Sequence, residues 1–272
     1  MMKILFFIRQ LNIMILLTMG VSLEYICGDF DLAFAAQISA SSLLGVFLLM
    51  KGTPLILSFL VVFLFNALIG CLKGFFIVKF QMPSVIVTLG LQIILVNLCA
   101  GITENKSLVL VELNRMYREF PIKEIGLFLT IAGMGAVYYF LEHTYYGKYC
   151  RILGENLPLA RQNGLKCVEI SALIHIAVSV FFSIPTILLM FYTGSGGSFL
   201  GADYLYKVLT ATVLGQHMIR KKRNDIWGMI AGALIVVLFT CVLTVYGGLN
   251  RWENILMGIV ILICISEKYK KV

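Results

Sequence analysis

The sequence predicts an all-α, polytopic membrane protein of about nine transmembrane segments, and three observations carry that prediction. Hydrophobic residues make up 60% of the chain and charged residues 13%, where a soluble domain is nearer half apolar and a quarter charged. Mean hydropathy is +0.94. Runs of about twenty apolar residues, the length a helix needs to cross the hydrocarbon layer, recur from one end of the chain to the other.

In chain order, the apolar segment 5–27 opens beside Ile4 and carries Arg9, and no small-residue cleavage site precedes Cys27. It therefore reads as a retained span and not as a cleavable signal. Segments 32–50, 54–72 and 84–103 follow, the third with Lys73 near its end and the fourth entered through Pro83. The stretch 104–123 is the longest polar interval and is too small for a domain, so residues 1–272 form one transmembrane domain. Segments 124–141 and 168–192 come next, then 205–219, which is short and carries Lys207, as a re-entrant or half-buried helix would. Segments 226–246 and 251–266 complete the set. In the former, Gly228 and Gly232 form a small-xxx-small pattern that suits close helix approach, within the chain or between subunits.

Basic residues set the orientation. The chain has 22 Lys and Arg against 14 Asp and Glu. Lys148, Arg151, Arg161 and Lys166 lie in the 142–167 loop, Arg220 to Arg223 in a later one, and Lys268, Lys270 and Lys271 in the tail. Counting spans puts all three on one side, which the positive-inside rule makes the cytoplasm. The 104–123 and 193–204 loops fall outside, and so does the N-terminus.

The same charge pattern excludes nucleic acid as a partner, because such a binder gathers its charge on a polar face with interleaved aromatics. Enzyme classes are excluded by motif: no HExxH, GxSG, paired intramembrane aspartates or phosphate loop occurs, so no catalytic residue, metal or cofactor is expected and the chain is not an ATPase. Ser195 sits in a flexible Gly-rich turn. The seven cysteines show no paired spacing and read as small apolar side chains. Among the histidines only His175 is mid-span, where helix packing is favoured over a proton relay. Ionisable residues deep in spans are few (Glu24, Lys73, Lys207), which argues against an ion-coupled carrier. Asn66 needs a partner in hydrocarbon, either another helix or a cargo.

The 142–167 loop is the most informative segment. Asn156 suits a helix N-cap, Pro158 its first turn and Gly164 its stop, so a short helix lies between two spans. Such punctuation points to a docking element.

These residues resemble those of a known family, the permease subunits of bacterial ABC importers of the ribose, xylose, galactose and autoinducer-2 type. Thr144, Gly147 and Lys148 are similar to its T-x-x-G-R, and Gly154, Asn156, Ala160, Arg161 and Gly164 to its G-G-N-x-x-A-A-R-x-x-G-I. Gly28-Asp29-Phe30-Asp31-Leu32 resembles G-G-I-D-L, and Pro83 through Thr88 to Gly90 resembles P-F-I-A-T-L-G. Tyr204 through Gly215, then Gly228, Gly232 and Ala233, resemble the C-terminal part. Departures are Lys73-Gly74 in place of Asn-Gly, Tyr204-Leu205-Tyr206-Lys207 in place of an acidic tetrad, Arg220 to Arg223 in place of a Gly-rich stretch, and the absence of a span the family carries before 5–27.

The resemblance implies a subunit of the bacterial plasma membrane, embedded in lipid, that imports a monosaccharide such as ribose with two ABC ATPase subunits and an extracytoplasmic sugar-binding protein. Thr144, Gly147, Lys148, Gly154, Asn156, Ala160, Arg161 and Gly164 would couple to the ATPase. Asp31, Asn66, Thr88 and Tyr204 would border the translocation path, with an N-cap role for Asp31 as the alternative. A second permease completes the pore, and a paralogue is expected over a second copy because a homodimer would duplicate Lys73, Lys207 and Arg220 to Arg223. The alternatives are a branched-chain amino-acid or nucleoside permease, and a non-transporting membrane scaffold.

Overall fold

The computed structural model describes residues 2–119, 122–218, 226–245 and 252–269. Helix α1 (Met2–Ile26) is followed by α2 (Phe34–Met50), α3 (Leu55–Phe80) and α4 (Ser84–Thr103). The connection that follows holds a two-residue strand, β1 (Leu108–Val109), and a short helix, α5 (Val111–Glu119). Next come α6 (Ile122–His143), α7 (Tyr145–Glu155), α8 (Leu157–Gln162), α9 (Cys167–Phe181), α10 (Ser183–Thr193) and β2 (Ser195–Gly196). Helices α11 (Ala202–Met218), α12 (Ile226–Val245) and α13 (Glu253–Tyr269) close the described chain. The all-α expectation holds, apart from the antiparallel pairing of Leu108 with Gly196 and Val109 with Ser195.

Every apolar segment read from the sequence is helical. Among the described residues six helical stretches are long and apolar enough to cross a membrane, α9 and α10 together forming one of them, while α2 and the apolar part of α13 are shorter, so a count of nine spans is not established. Three boundaries differ from the sequence reading. Helix α3 does not stop near Lys73 but runs to Phe80, with Lys73 inside it. The segment 168–192 is two helices meeting at Phe182. Pro185 explains that break, since it has no N–H to donate to the carbonyl four residues back. The 142–167 loop holds two helices where one was expected.

Packing is the inverse of a soluble protein's. On α3 the stripe Ile56, Leu60, Leu64 and Leu68 faces outward, while Ser58, Asn66 and Lys73 are wholly buried. Lipid is the solvent for the first face, and the polar groups of the second must find partners inside. Helix α1 is central, touching α6, α7, α9, α10, α11 and α12. Gly228 and Gly232 seat α12 against α11, where a Cβ at Gly232 would meet the Ala211 carbonyl, so this pattern serves packing within the chain.

The connection after β2 turns inward. Gly196 lies against the Ser42 carbonyl, the Gly201 N–H donates to Ser39 Oγ (2.9 Å), and Gly201 abuts the Ala35 carbonyl. The chain therefore runs back along α2 before α11 begins.

Candidate functional site

Two layers of functional side chains meet at one end of the bundle. The first is the α7–α8 connection. Thr144 caps α7, accepting from the Gly147 N–H (3.1 Å) and donating to the Phe140 carbonyl (2.6 Å). A Cβ at Gly147 would collide with that carbonyl, and one at Gly154 with the carbonyl of Ile26, so α7 lies directly on α6 and on the end of α1. Arg151 anchors it further through Glu142 (2.6 Å). Asn156 caps α8 by accepting from the Leu159 N–H (3.0 Å), Pro158 sits in its first turn, and Gly164 ends it at φ 74°. Ala160 is buried, whereas Leu157, Leu159 and Arg161 are exposed.

The eight residues read as ATPase-coupling thus divide by role. Thr144, Gly147, Gly154 and Ala160 hold the segment to the body, Asn156 and Gly164 bound α8, and Lys148 and Arg161 face outward.

The second layer is a buried polar cluster built around the turn 27–33 between α1 and α2. The Asp31 Oδ1 atom accepts from the Ala33 N–H (2.7 Å), a turn bond and not the N-cap considered for it, since Ala33 is the N-cap of α2, while Oδ2 pairs with Lys73 Nζ at 2.5 Å. Lys73 also donates to Gln37 Oε1 (2.8 Å) and Ser179 Oγ (3.3 Å), so all three ammonium hydrogens have acceptors. The Gln37 amide nitrogen donates to Asn66 Oδ1 (2.9 Å), and the Asn66 amide to Ser183 Oγ (2.9 Å). From α4, Thr88 Oγ1 accepts from the Leu32 N–H (3.2 Å) and Ser84 Oγ from the Phe30 N–H (3.3 Å).

Beside this lies a second set of ions. His175 Nδ1 is 2.8 Å from Glu24 Oε1, both side chains fully buried, and its Nε2 is 3.7 Å from Asp29 Oδ2. Asp29 also accepts from the Ser171 hydroxyl. Glu24, Asp31 and His175 bring potential metal-ligand atoms within 4.8 Å of one another. Both oxygens of Asp31 are already engaged, by Lys73 and by the Ala33 amide, so the trio is built as an ion cluster and not as an open coordination site.

Asp31, Asn66 and Thr88, three of the four residues read as bordering the translocation path, therefore belong to one connected network. Tyr204 does not join it: it lies partly buried in the main core at the start of α11. Sequence reading passed over Glu24, Asp29, Gln37, Ser171 and Ser179 as members of this network, and it assigned His175 to packing and Lys73 to a span end. Lys207 likewise finds a partner, Glu253, at 3.2 Å.

Residues 3–265 match the family described as branched-chain amino acid transport system / permease component. The chain belongs to that family, and is a multi-pass membrane transport component and not an enzyme. It is 22% identical to the fructose import permease protein FruG of Bifidobacterium longum, over 92% of this chain and 77% of that protein. It is 24% identical to the fructose import permease protein FrcC of Rhizobium meliloti, over 95% and 75% respectively. It is also 23% identical to the ribose import permease protein RbsC of Bacillus subtilis, over 99% and 85%. No solved structure matches the chain.

Proposed function

We propose that the chain is the transmembrane permease subunit of an ATP-driven ABC importer of a monosaccharide, a ribose-like sugar, in the bacterial plasma membrane. Its α7–α8 connection faces the cytoplasm and receives the closing motion of two ATPase subunits, and alternating access of the helices admits sugar delivered by an extracytoplasmic binding protein. The observation that carries this reading is α8 itself, a capped helix whose Leu157, Leu159 and Arg161 stand free while Ala160 roots it in the core. The names of the relatives support a sugar as cargo. The family description favours a second reading, an amino-acid cargo.

A second permease subunit completes the pore. Two of the charges that favoured a paralogue, Lys73 and Lys207, are matched within the chain by Asp31 and Glu253. The case for a paralogue now rests on Arg220 to Arg223, which lie outside the described residues, and native mass spectrometry of the assembly distinguishes a paralogue from a second copy.

The test is uptake in proteoliposomes holding this chain with its co-expressed ATPase, permease and binding-protein partners, supplied with labelled ribose, fructose or leucine. ATP-dependent accumulation of a sugar is expected, and Arg161→Glu should abolish it without affecting membrane insertion. Accumulation of leucine alone would favour the amino-acid reading. No effect of Arg161→Glu would refute the docking role of α8.

A further inference from the structure

The turn between α1 and α2 is gripped from opposite sides. On one side its Gly28 backbone lies against Gly154 of α7, and Gly154 in turn abuts the carbonyl of Ile26. Cys27 and Cys150 of α7, both buried, belong to the same core cluster. On the other side polar connections reach three different helices: Asp29 to Ser171 and His175 of α9, Asp31 to Lys73 of α3, and the Phe30 and Leu32 amides to Ser84 and Thr88 of α4.

The two grips differ in kind. Backbone against backbone is short-ranged and close-packed, so the turn and α7 move as one body. Hydrogen bonds and ion pairs radiating from a single turn to three helices are discrete links that can part and re-form, as the contacts of a two-state element do.

Building on the reading of α7–α8 as the ATPase dock, we infer that the Cys27–Leu32 turn is a latch that carries the dock's motion to the pore helices. In the conformation described here the latch is closed, with Asp29 and Asp31 tying the turn to α9 and α3, which pack directly on each other through Gly70 and Gly74. Displacement of α7 withdraws the turn, separates Asp29 from Ser171 and His175 and Asp31 from Lys73, and frees the packed α3–α9 pair to move relative to α1 and α7. Asp29, Asp31, Lys73 and His175 are positioning residues in this scheme.

Two disulfide bridges with opposite expectations test the latch in the reconstituted complex, each compared without nucleotide and after trapping with ATP and orthovanadate. Oxidation of the native Cys27 and Cys150 joins the turn to α7. It should proceed equally in both states and leave ATP hydrolysis coupled. The pair Asp29→Cys with Ser171→Cys joins the turn to α9: its bridge should form without nucleotide, be lost on trapping and, once formed, arrest ATP hydrolysis until a reductant is added.

Because the substitution removes one latch carboxylate, hydrogen exchange of the unsubstituted complex supplies an independent measurement. The Phe30 and Leu32 amides should lose protection on trapping, since each donates to a hydroxyl of α4. A turn-to-α9 bridge that survives trapping, or unchanged protection of those amides, would overturn the latch. An assembly that hydrolyses no ATP even when reduced would overturn the permease reading beneath it.

Discussion

Replacing Lys73 with methionine removes a buried ammonium while keeping nearly the same volume. The structure sets the size of the effect. In the wild type Asp31 has two partners, the Ala33 amide and Lys73 at 2.5 Å, and both ionic side chains are wholly buried. Lys73→Met leaves the carboxylate with one neutral donor and strips Gln37 Oε1 and Ser179 Oγ of the ammonium hydrogens. Breaking one side of a buried ion pair costs roughly 3–5 kcal/mol. That is about two to four orders of magnitude in the folded-to-unfolded ratio.

The double variant Asp31→Asn with Lys73→Met is predicted to recover most of this loss. Asparagine keeps an oxygen for the Ala33 amide, and no unpaired charge remains in the interior. Steric trapping of the purified chain in bicelles measures both. The reasoning fails if Lys73→Met lies within about 1 kcal/mol of the wild type, or if the double variant is no more stable than the single, since either result would mean that the pair is hydrated or unformed.

Removing the α8 cap by Asn156→Ala should cost about 1 kcal/mol locally, read as faster hydrogen exchange over 157–162 with α9 unchanged. A Gly154→Val side chain would collide with the Ile26 carbonyl, so α7 must lift from α1; expected are loss of coupled ATP hydrolysis and ready alkylation of Cys150, which is buried in the wild type. Single cysteines at Glu155 and Lys106, both exposed, should be labelled from opposite faces of the membrane, and labelling from one face would refute the topology.

What the sequence made legible was local. Hydropathy found the apolar segments, which are helical where described, and the caps of α8 were readable because Asn156, Pro158 and Gly164 act within a turn or two of their own positions. The ion cluster was not readable, because its partners stand 42 positions apart for Asp31 and Lys73 and 151 for Glu24 and His175. A hydropathy window also treats a charge as the end of a span. It stopped α3 beside Lys73, where the helix runs on to Phe80, and so turned a buried ion into an apparent boundary residue. Tyr204 was singled out by a motif, and it packs in the main core, whereas Gln37, which no motif marked, joins the buried polar network.

The distance between Glu24 and His175 along the chain is also a distance in time. A ribosome adding about 5–20 residues per second needs roughly 8–30 seconds to reach one from the other. During that interval the first helices have left the ribosome with Glu24 lacking its imidazole, although Lys73 follows Asp31 within seconds. The early carboxylate therefore waits in a hydrated or protonated form until α9 arrives. Biogenesis of this protein has a built-in pause before its interior can close, and a chain released early would keep an open, charged seam for quality-control proteases to recognise.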